Sequence, residues 1–444
     1  MNRGASPGRG PVTATLALAP LVAFLGLTTP AAGATIRVPA DAPTIGTGLA
    51  ATAVGDTVLV APGTYVERVR IPPGIVLRAD GAAGSAVIDA ALGGSCVSAI
   101  DCTQGTRLEG FRLVRGRGEA ESGSTVGGAL RVLGGVLIVT DCTFDGGQAT
   151  FGGGSACAGA SLVLERCSWS GGSASFGGGH FQSAGQVTIR DARFEGTQAT
   201  AGGGVFVTNG ARVNVDGALV RGATSAGDGA GMRFDTCVAT IAHVRFEDGV
   251  AAGRGGGLAV AAGGQILATF CTFLRNASGQ GGGAFHVSCS ADGPVVPRLM
   301  AGCALLSLSQ CDVLSSAGPP PAAGGVTDAG VLSVHASIVA GNASGLACTD
   351  SRATLEVTCS ALYGNGGVDV SGNCAPAADP TNRAIDPHLC DLAGGAVGLC
   401  SNSALVDPGC GDAFWGSSGV QCADCGPTPT RPMTWGRVKV RYRS

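Results

Sequence analysis

The chain has 444 residues, of which 77 are glycine, about 17% against roughly 7% in an average protein, while aromatic residues are 5% and charged residues 13%. Glycine does not recur at every third residue, which excludes collagen, and a net charge of −3 with 45% hydrophobic residues excludes simple disorder. The acidic balance disfavours a nucleic-acid partner and no P-loop or dinucleotide fingerprint occurs, so what remains is a chain of small apolar side chains and many turns, suited to closely stacked backbone.

At the N-terminus, Arg3 and Arg9 precede an apolar stretch from Val12 to Leu27, interrupted by Pro20, and Ala32-Gly33-Ala34 offers an A-x-A cleavage site. Residues 1–34 are therefore expected to be a signal peptide rather than a membrane anchor, with the mature protein secreted or held at the cell surface. No other segment has 18 uninterrupted apolar residues. The 18 cysteines, an even number, suit disulfides in an oxidising compartment.

Residues 35 to about 125 carry short β-type stretches with less glycine than the region that follows, including Thr57-Val58-Leu59-Val60 and Ile75-Val76-Leu77. Beyond them a repeat sets in. Glycine clusters end at Gly128, Gly154, Gly179, Gly204, Gly231, Gly257 and Gly283, at spacings of 25 to 27 residues. A second marker follows each of the first six by 15 or 16 residues: Phe144, Trp169, Phe194, Leu219, Phe246 and Phe273. Between the markers lie alternating β-branched runs such as Val136-Leu137-Ile138-Val139 and Val187-Thr188-Ile189, too short for helices.

One such unit cannot bury its inner face, so the units must stack, each strand pairing in parallel with its equivalent at about 4.8 Å. The expected fold is all-β, a right-handed parallel β-helix of about 26 residues per coil over residues 35–375; a β-propeller is excluded because its blade needs about 40 residues. Equivalent positions then form ladders. Cys142 and Cys167 should touch across neighbouring coils, bonded or as thiols.

Residues 290–330, with Gly318-Pro319-Pro320-Pro321 within them, read as a loop off the column, with coils resuming at Val331 to Ala340. Over residues 376–425 cysteine density rises and the pattern fades, as expected of a disulfide-rich C-terminal cap over the last coil's open edge. Cys422-Ala423-Asp424-Cys425 has C-x-x-C spacing and reads as a structural disulfide, with zinc binding and redox chemistry as the alternatives. Residues 426–444 read as a proline-rich linker and a short basic tail.

With these residues the chain resembles the pectin-lyase-like superfamily of parallel β-helices over residues 35 to about 400. Gly127-Gly128-Ala129-Leu130 and Phe273-Leu274-Arg275-Asn276 match the G-G-A-[ILV] and F-x-x-N elements of the glycine-rich repeats of polymorphic outer-membrane proteins. The stretch from Gly55 to Tyr65 is similar to the first coil of many exported bacterial β-helix proteins. The resemblance is specific for fold and weak for function. It implies that acidic polysaccharides be considered as substrates: lyases of the group hold calcium with carboxylates and use an Arg or Lys base, and hydrolases use close carboxylates.

Positions three before the aromatic marker give a column of Asp141, Arg166, Asp191, Asp216 and His243. Asp191 and Asp216 should then lie about 5 Å apart, flanked by Arg166 and His243, as the best catalytic or cation-binding candidate in the chain. The competing account is a solvated ladder of mixed charge at a turn. Gly179-His180-Phe181 and Asp386-Pro387-His388 resemble motifs of polygalacturonases and alginate epimerases, but without their companions they read as a packed or turn histidine and as part of the cap. Ser225 to Gly231 resembles a calcium-binding nonapeptide, yet occurs once. Asn276-Ala277-Ser278 and Asn342-Ala343-Ser344 are glycosylation sequons.

The function expected is that of an exported non-enzymatic β-helix, structural, adhesive or glycan-binding, monomeric and without a cofactor. The alternative is a polysaccharide lyase or glycoside hydrolase acting on an extracellular uronate-type polysaccharide, where calcium would enter. Polysaccharide or other cell-surface components are the expected partners, with no nucleic acid and no transmembrane segment after signal cleavage.

Overall fold

The computed structural model describes residues 1, 33–289, 303–318, 324–374, 379–406, 415–426 and 428. Residues 2–32 of the expected signal peptide and the tail from residue 429 lie outside them.

From Thr35 to Gly372 the chain winds as a parallel β-solenoid. One coil begins at His180–Ser183, turns into the bent strand Gln186–Glu195, passes through Gln198–Ala201, and returns by a glycine corner to Val205–Thr208, which pairs in parallel with His180–Ser183. Period-two alternation decides what faces inward: Val187 and Ile189 are buried and Thr188 is not. The corner is where glycine is required. Gly177 has φ +66°, and a Cβ on it would stand 2.3 Å from the carbonyl oxygen of His180; one on Gly178 would stand 2.5 Å from that of Gly203 in the next coil.

Ladders of equivalent side chains fill the interior. Phe144, Trp169 and Phe194 stack with ring centroids 4.8 and 4.4 Å apart, and Phe246 and Phe273 stack at 4.8 Å. Between the two stacks the interior position belongs to Val220, which pairs with Phe194 and Phe246, and not to the expected Leu219. The turn Asn209-Gly210-Ala211 is one residue longer than Ala184-Gly185 in the coil before, and this displaces everything that follows it in the coil.

His180 is fully buried in the same interior. Its Nδ1 lies 2.9 Å from Ser155 Oγ, which accepts the Trp169 indole N–H at 3.0 Å, and its Nε2 lies 3.3 Å from Gln182 Oε1. Burial pushes its pKa down to about 4, so it is a neutral packed histidine. Its ladder runs through Ser155 to Leu130, since only two glycines precede Ala129, which takes the third glycine's place.

At the C-terminal side one expectation is corrected and one is sharpened. The range 290–330 is not simply a loop, for Leu305–Ser309 pairs with Gln265–Thr269 and with Val331–His335, adding a coil. Leu305-Leu306-Ser307-Leu308-Ser309 alternates as the other strands do, and it continues the coil opened by the glycines at 281–283 and Phe285–Ser288, from which residues 289–304 separate it. Cys289 and Cys303 are joined by a disulfide.

Within the expected cap, the small sheet of Leu389–Asp391, Ala396–Cys400 and Val420–Cys422 is not the part that meets the last coil. It folds back onto the flank, where Leu389, Val397, Leu399 and Trp415 pack against Leu274, Leu314, Ile338 and Ala340. At the position that Leu274, Leu314 and Ala340 occupy, earlier coils carry Asp145, Ser170, Glu195, Arg221 and Glu247, so only the late coils offer an apolar flank. The last coil is met instead by residues 381–383, where Asn382 Oδ1 accepts Ser360 N at 2.9 Å and Arg383 O accepts Leu362 N at 2.9 Å. At the other end the helix Ile45–Ala50 buries Ile45 and Leu49 against the first coil, behind a Thr44–Thr47 capping box. Among the described residues no helix is long and apolar enough to cross a membrane.

Candidate functional site

The bend within Gln186–Glu195 falls at Asp191, which has φ +49°. Asp141, Arg166, Gly217, His243, Phe270 and Gln310 hold the same left-handed corner in other coils. The expected charged column is therefore this corner, with one correction: Asp216 is not in it. Asp216 pairs with Arg190 and Ala242, and Gly217 takes the corner, because of the same extra residue in Asn209-Gly210-Ala211. Asp191 and Asp216 are not stacked equivalents. The Asp191 carboxylate reaches over Gly217, where a Cβ would stand 2.8 Å from its Oδ1.

Most of the corner charges are engaged between coils. Arg166 binds Asp141 through Nε–Oδ1 at 2.8 Å and Nη2–Oδ2 at 2.9 Å, and these bonds lower the Asp141 pKa. Arg166 thus pairs with the coil before it instead of flanking two aspartates. His243 Nδ1 lies 2.8 Å from Asp216 Oδ1, and its ring stacks on Phe270 with centroids 5.3 Å apart and 5° between planes.

His243 also lines a cleft of about 280 Å³ between column and cap, together with Arg245, Phe270, Thr272, Ser417 and Gln421. Below it lies a charge cluster that sequence reasoning missed. Glu247 is buried and accepts Arg245 Nε at 3.2 Å and Arg221 Nη2 at 3.0 Å, with Arg275 also against it. Burial works to raise its pKa, but the Arg245 and Arg221 hydrogen bonds prevail and hold it below the usual range. The buried Asp312 accepts the Ser417 amide at 3.1 Å; burial drives its pKa up to about 7 against the Ser417 bonds. Signs of the cluster lay in Arg245-Phe246-Glu247-Asp248, but adjacent charges do not reveal an apolar surround.

A groove of about 600 Å³ crosses Ser124–Val126, Gln148–Phe151 and Ser173–Phe176, lined among others by Arg117, Thr125, Gln148, Thr150, Ser173 and Ser175. Thr125 and Thr150 exchange amide-to-hydroxyl bonds of 3.1 and 2.9 Å, locking neighbouring coils. Gln148, Ser173, Gln198 and Thr224 form one register ladder, the first three of them exposed. Phe151 and Phe176 tie the same sheet to the column through Phe181 and Phe206. The signal was present in the run Gln148-Ala149-Thr150-Phe151, Ser173-Ala174-Ser175-Phe176 and Gln198-Ala199-Thr200-Ala201, set between the two markers that define the repeat.

The remaining sequence candidates have structural places. Cys142 and Cys167 immediately precede the register pair Thr143–Ser168 and are buried free thiols; burial pushes Cys167 up to about 12. Cys422 and Cys425 are not bonded to each other: Cys422 bridges to Cys390 and Cys425 to Cys400. Both sequon asparagines, Asn276 and Asn342, are buried. In the nonapeptide-like stretch, Asp228 Oδ1 accepts Arg254 N at 2.8 Å. Asp386 Oδ1 accepts the His388 amide at 2.9 Å, closing a turn of the cap.

No family model, curated protein or solved structure matches the chain.

Proposed function

We propose that the chain is an exported, non-catalytic β-solenoid that binds an extended, mainly uncharged glycan along the ladder of Gln148, Ser173, Gln198 and Thr224. The observation that carries this reading is the groove lined by Gln148 and Ser173, with Gln198 and Thr224 continuing the ladder in register beyond it. Amide and hydroxyl side chains recur there once per coil, at about 4.8 Å, a step comparable with one sugar ring. Such groups exchange hydrogen bonds with hydroxyls at modest desolvation cost. Arg117 is the one charged residue lining the groove, which favours a neutral chain over a uronate. The N-terminal export signal, the disulfides and the likeness to outer-membrane repeats of pectin-lyase-like solenoids support an extracellular place for it.

Calorimetric titration against a panel of neutral and acidic polysaccharides tests the reading. A neutral glycan should bind, and Gln148→Ala with Gln198→Ala should weaken it at least tenfold. Absence of binding across the panel, or binding indifferent to both substitutions, refutes it.

A second reading, a lyase or hydrolase of extracellular polysaccharide, has one observation in its favour. His243 lines the cleft against the cap and is oriented from outside it by Asp216, so that its imidazole could exchange a proton with a bound sugar. Incubation with uronate polysaccharides and calcium should then give unsaturated or shortened products with wild type and none with His243→Ala. Product from neither protein, or from both equally, discards this reading.

A further inference from the structure

Three strands of the cap bring four sulfurs to one point. Cys390 lies in Leu389–Asp391, Cys400 ends Ala396–Cys400, Cys422 ends Val420–Cys422, and Cys425 follows by three residues. The bridges Cys390–Cys422 and Cys400–Cys425 lie side by side. Cys422 Sγ is 3.4 Å from Cys400 Sγ and 3.3 Å from Cys425 Sγ, and all four sulfurs fall within 4.8 Å of one another. Two independent structural bridges have no need to converge in this way. A tetrahedral ZnS₄ centre, with Zn–S near 2.3 Å, separates its sulfurs by about 3.8 Å, which is the scale of this cluster.

We propose that the reduced cap binds one Zn²⁺ through the thiolates of Cys390, Cys400, Cys422 and Cys425, and that forming the two bridges expels it. The ligand set is wider than the C-x-x-C pair visible in sequence, which supplies only two of the four. The cap does not depend on its bridges for position: Leu389, Leu399 and Trp415 dock on the column, Arg245 Nη2 donates to Gly395 O at 2.7 Å, and Ser417 is held by Asp312. Ligand geometry is fixed by backbone as well. Ser401 N donates to Cys422 O at 3.0 Å, and Asn402 exchanges bonds of 3.2 and 2.9 Å with Cys425 N and O. Cys400 is buried while the other three are partly exposed, leaving a path for an ion.

The exchange balances. A dithiol reductant gives two electrons and two protons to each bridge and becomes a disulfide itself, so two bridges yield four thiols. Binding Zn²⁺ then releases up to four protons with no change in the metal's oxidation state. A small-molecule disulfide reverses the process by accepting four electrons in all, two per bridge, and the ion leaves as its thiolate ligands pair.

The test is anaerobic titration of the full chain, reduced with a phosphine and freed of it, first with Co²⁺ and then with Zn²⁺. One equivalent of Co²⁺ should give the charge-transfer and tetrahedral d–d bands of a tetrathiolate, and Zn²⁺ should displace it. Adding a small-molecule disulfide to the zinc form should release one equivalent to a chromogenic chelator. Cys422→Ser should abolish the tetrathiolate bands, Cys167→Ser should retain them, and Cys425→His should still bind with altered bands. Reduced wild type that gives no tetrahedral cobalt spectrum overturns the proposal however the variants fold. Unaltered bands in both Cys422→Ser and Cys400→Ser overturn it equally.

Discussion

Asp312 and Ser417 join the column to its cap: Asp312 Oδ2 accepts the Ser417 amide at 3.1 Å and its hydroxyl beside it, from a side chain that is 1% exposed. Burial raises the Asp312 pKa from 3.8 to about 7. Between those values the folded protein holds a proton that the unfolded chain has lost. The stability this group contributes is therefore full below about pH 4 and declines as pH rises through 7, by about 4 kcal/mol at most. Asp312→Asn should leave stability near wild type at pH 4 and raise it by about 2–4 kcal/mol at pH 8. Urea unfolding of both proteins at pH 4, 6 and 8 measures this, and parallel curves across that range would contradict it.

Glu247 should behave with the opposite sign. Its pKa is held below 4.5, with burial opposing and the Arg245 and Arg221 hydrogen bonds prevailing. Its contribution is present above the unfolded value and is lost as pH falls through the folded one. Glu247→Gln leaves Arg221, Arg245 and Arg275 without their shared anion, at a cost of about 2–4 kcal/mol at pH 7. The gap between variant and wild type should narrow below pH 4. A constant gap from pH 3 to pH 8 would show that the carboxylate charge is not what matters there.

The legible part of this fold was whatever repeats. Glycine corners and stacked rings recur in phase, and from Gly154 to Gly204 the last glycine of each cluster gives the register directly, while at Gly128 it is one residue out because Ala129 takes the third glycine's place. The reading slipped where a single residue was added: Asn209-Gly210-Ala211 pushed Val220 into the place expected of Leu219 and removed Asp216 from the column of Asp191. A tolerance of one residue is invisible in spacings that already vary from 25 to 27. The coil at Leu305–Ser309 was hidden for another reason: residues 289–304 separate this strand from the coil's glycine corner at residues 281–283, and Val313 stands where Phe273 stands in the coil before. The cap's docking on the flank depends on Leu274, Leu314 and Ala340 sharing one ladder, which only a correct register reveals. The polar ladder of Gln148, Ser173 and Gln198 recurs in the sequence with the repeat but carries no charge to set it apart from other exposed strand positions.

Trp169 sits between Phe144 and Phe194 and donates its indole N–H to Ser155 Oγ at 3.0 Å, so it serves the ring stack and the buried His180 network together. Trp169→Ala removes two ring contacts and leaves a cavity that the closely packed glycine corner cannot fill by moving inward. A cost of about 3–5 kcal/mol is expected from guanidinium unfolding. Trp169→Phe retains the stack and loses only the indole bond, for about 1–2 kcal/mol. Because each coil contacts only its neighbours, amide exchange in the alanine variant should quicken most between residues 130 and 195. A uniform increase along the column would mean that the solenoid unfolds as one unit.

Asn276 gives the F-x-x-N motif a physical meaning. Its Oδ1 accepts Gly249 N at 3.0 Å and its Nδ2 donates to Phe246 O at 2.9 Å, both in the preceding coil, and its side chain is fully buried. Asn342 repeats the device on Ser316 N and Val313 O, each at 2.9 Å. Asn276→Ala leaves two buried backbone groups unpaired and should cost about 2–4 kcal/mol. Asn276→Asp restores the acceptor alone and buries a charge, so it should not recover the loss. The same geometry decides the sequons, since an amide bonded on both sides inside the stack cannot carry a glycan in the folded state. Mass spectrometry of protein secreted from a glycosylating host should find Asn276 and Asn342 unmodified in the natively stable fraction; a glycan on either residue in that fraction would place the side chain outside the column.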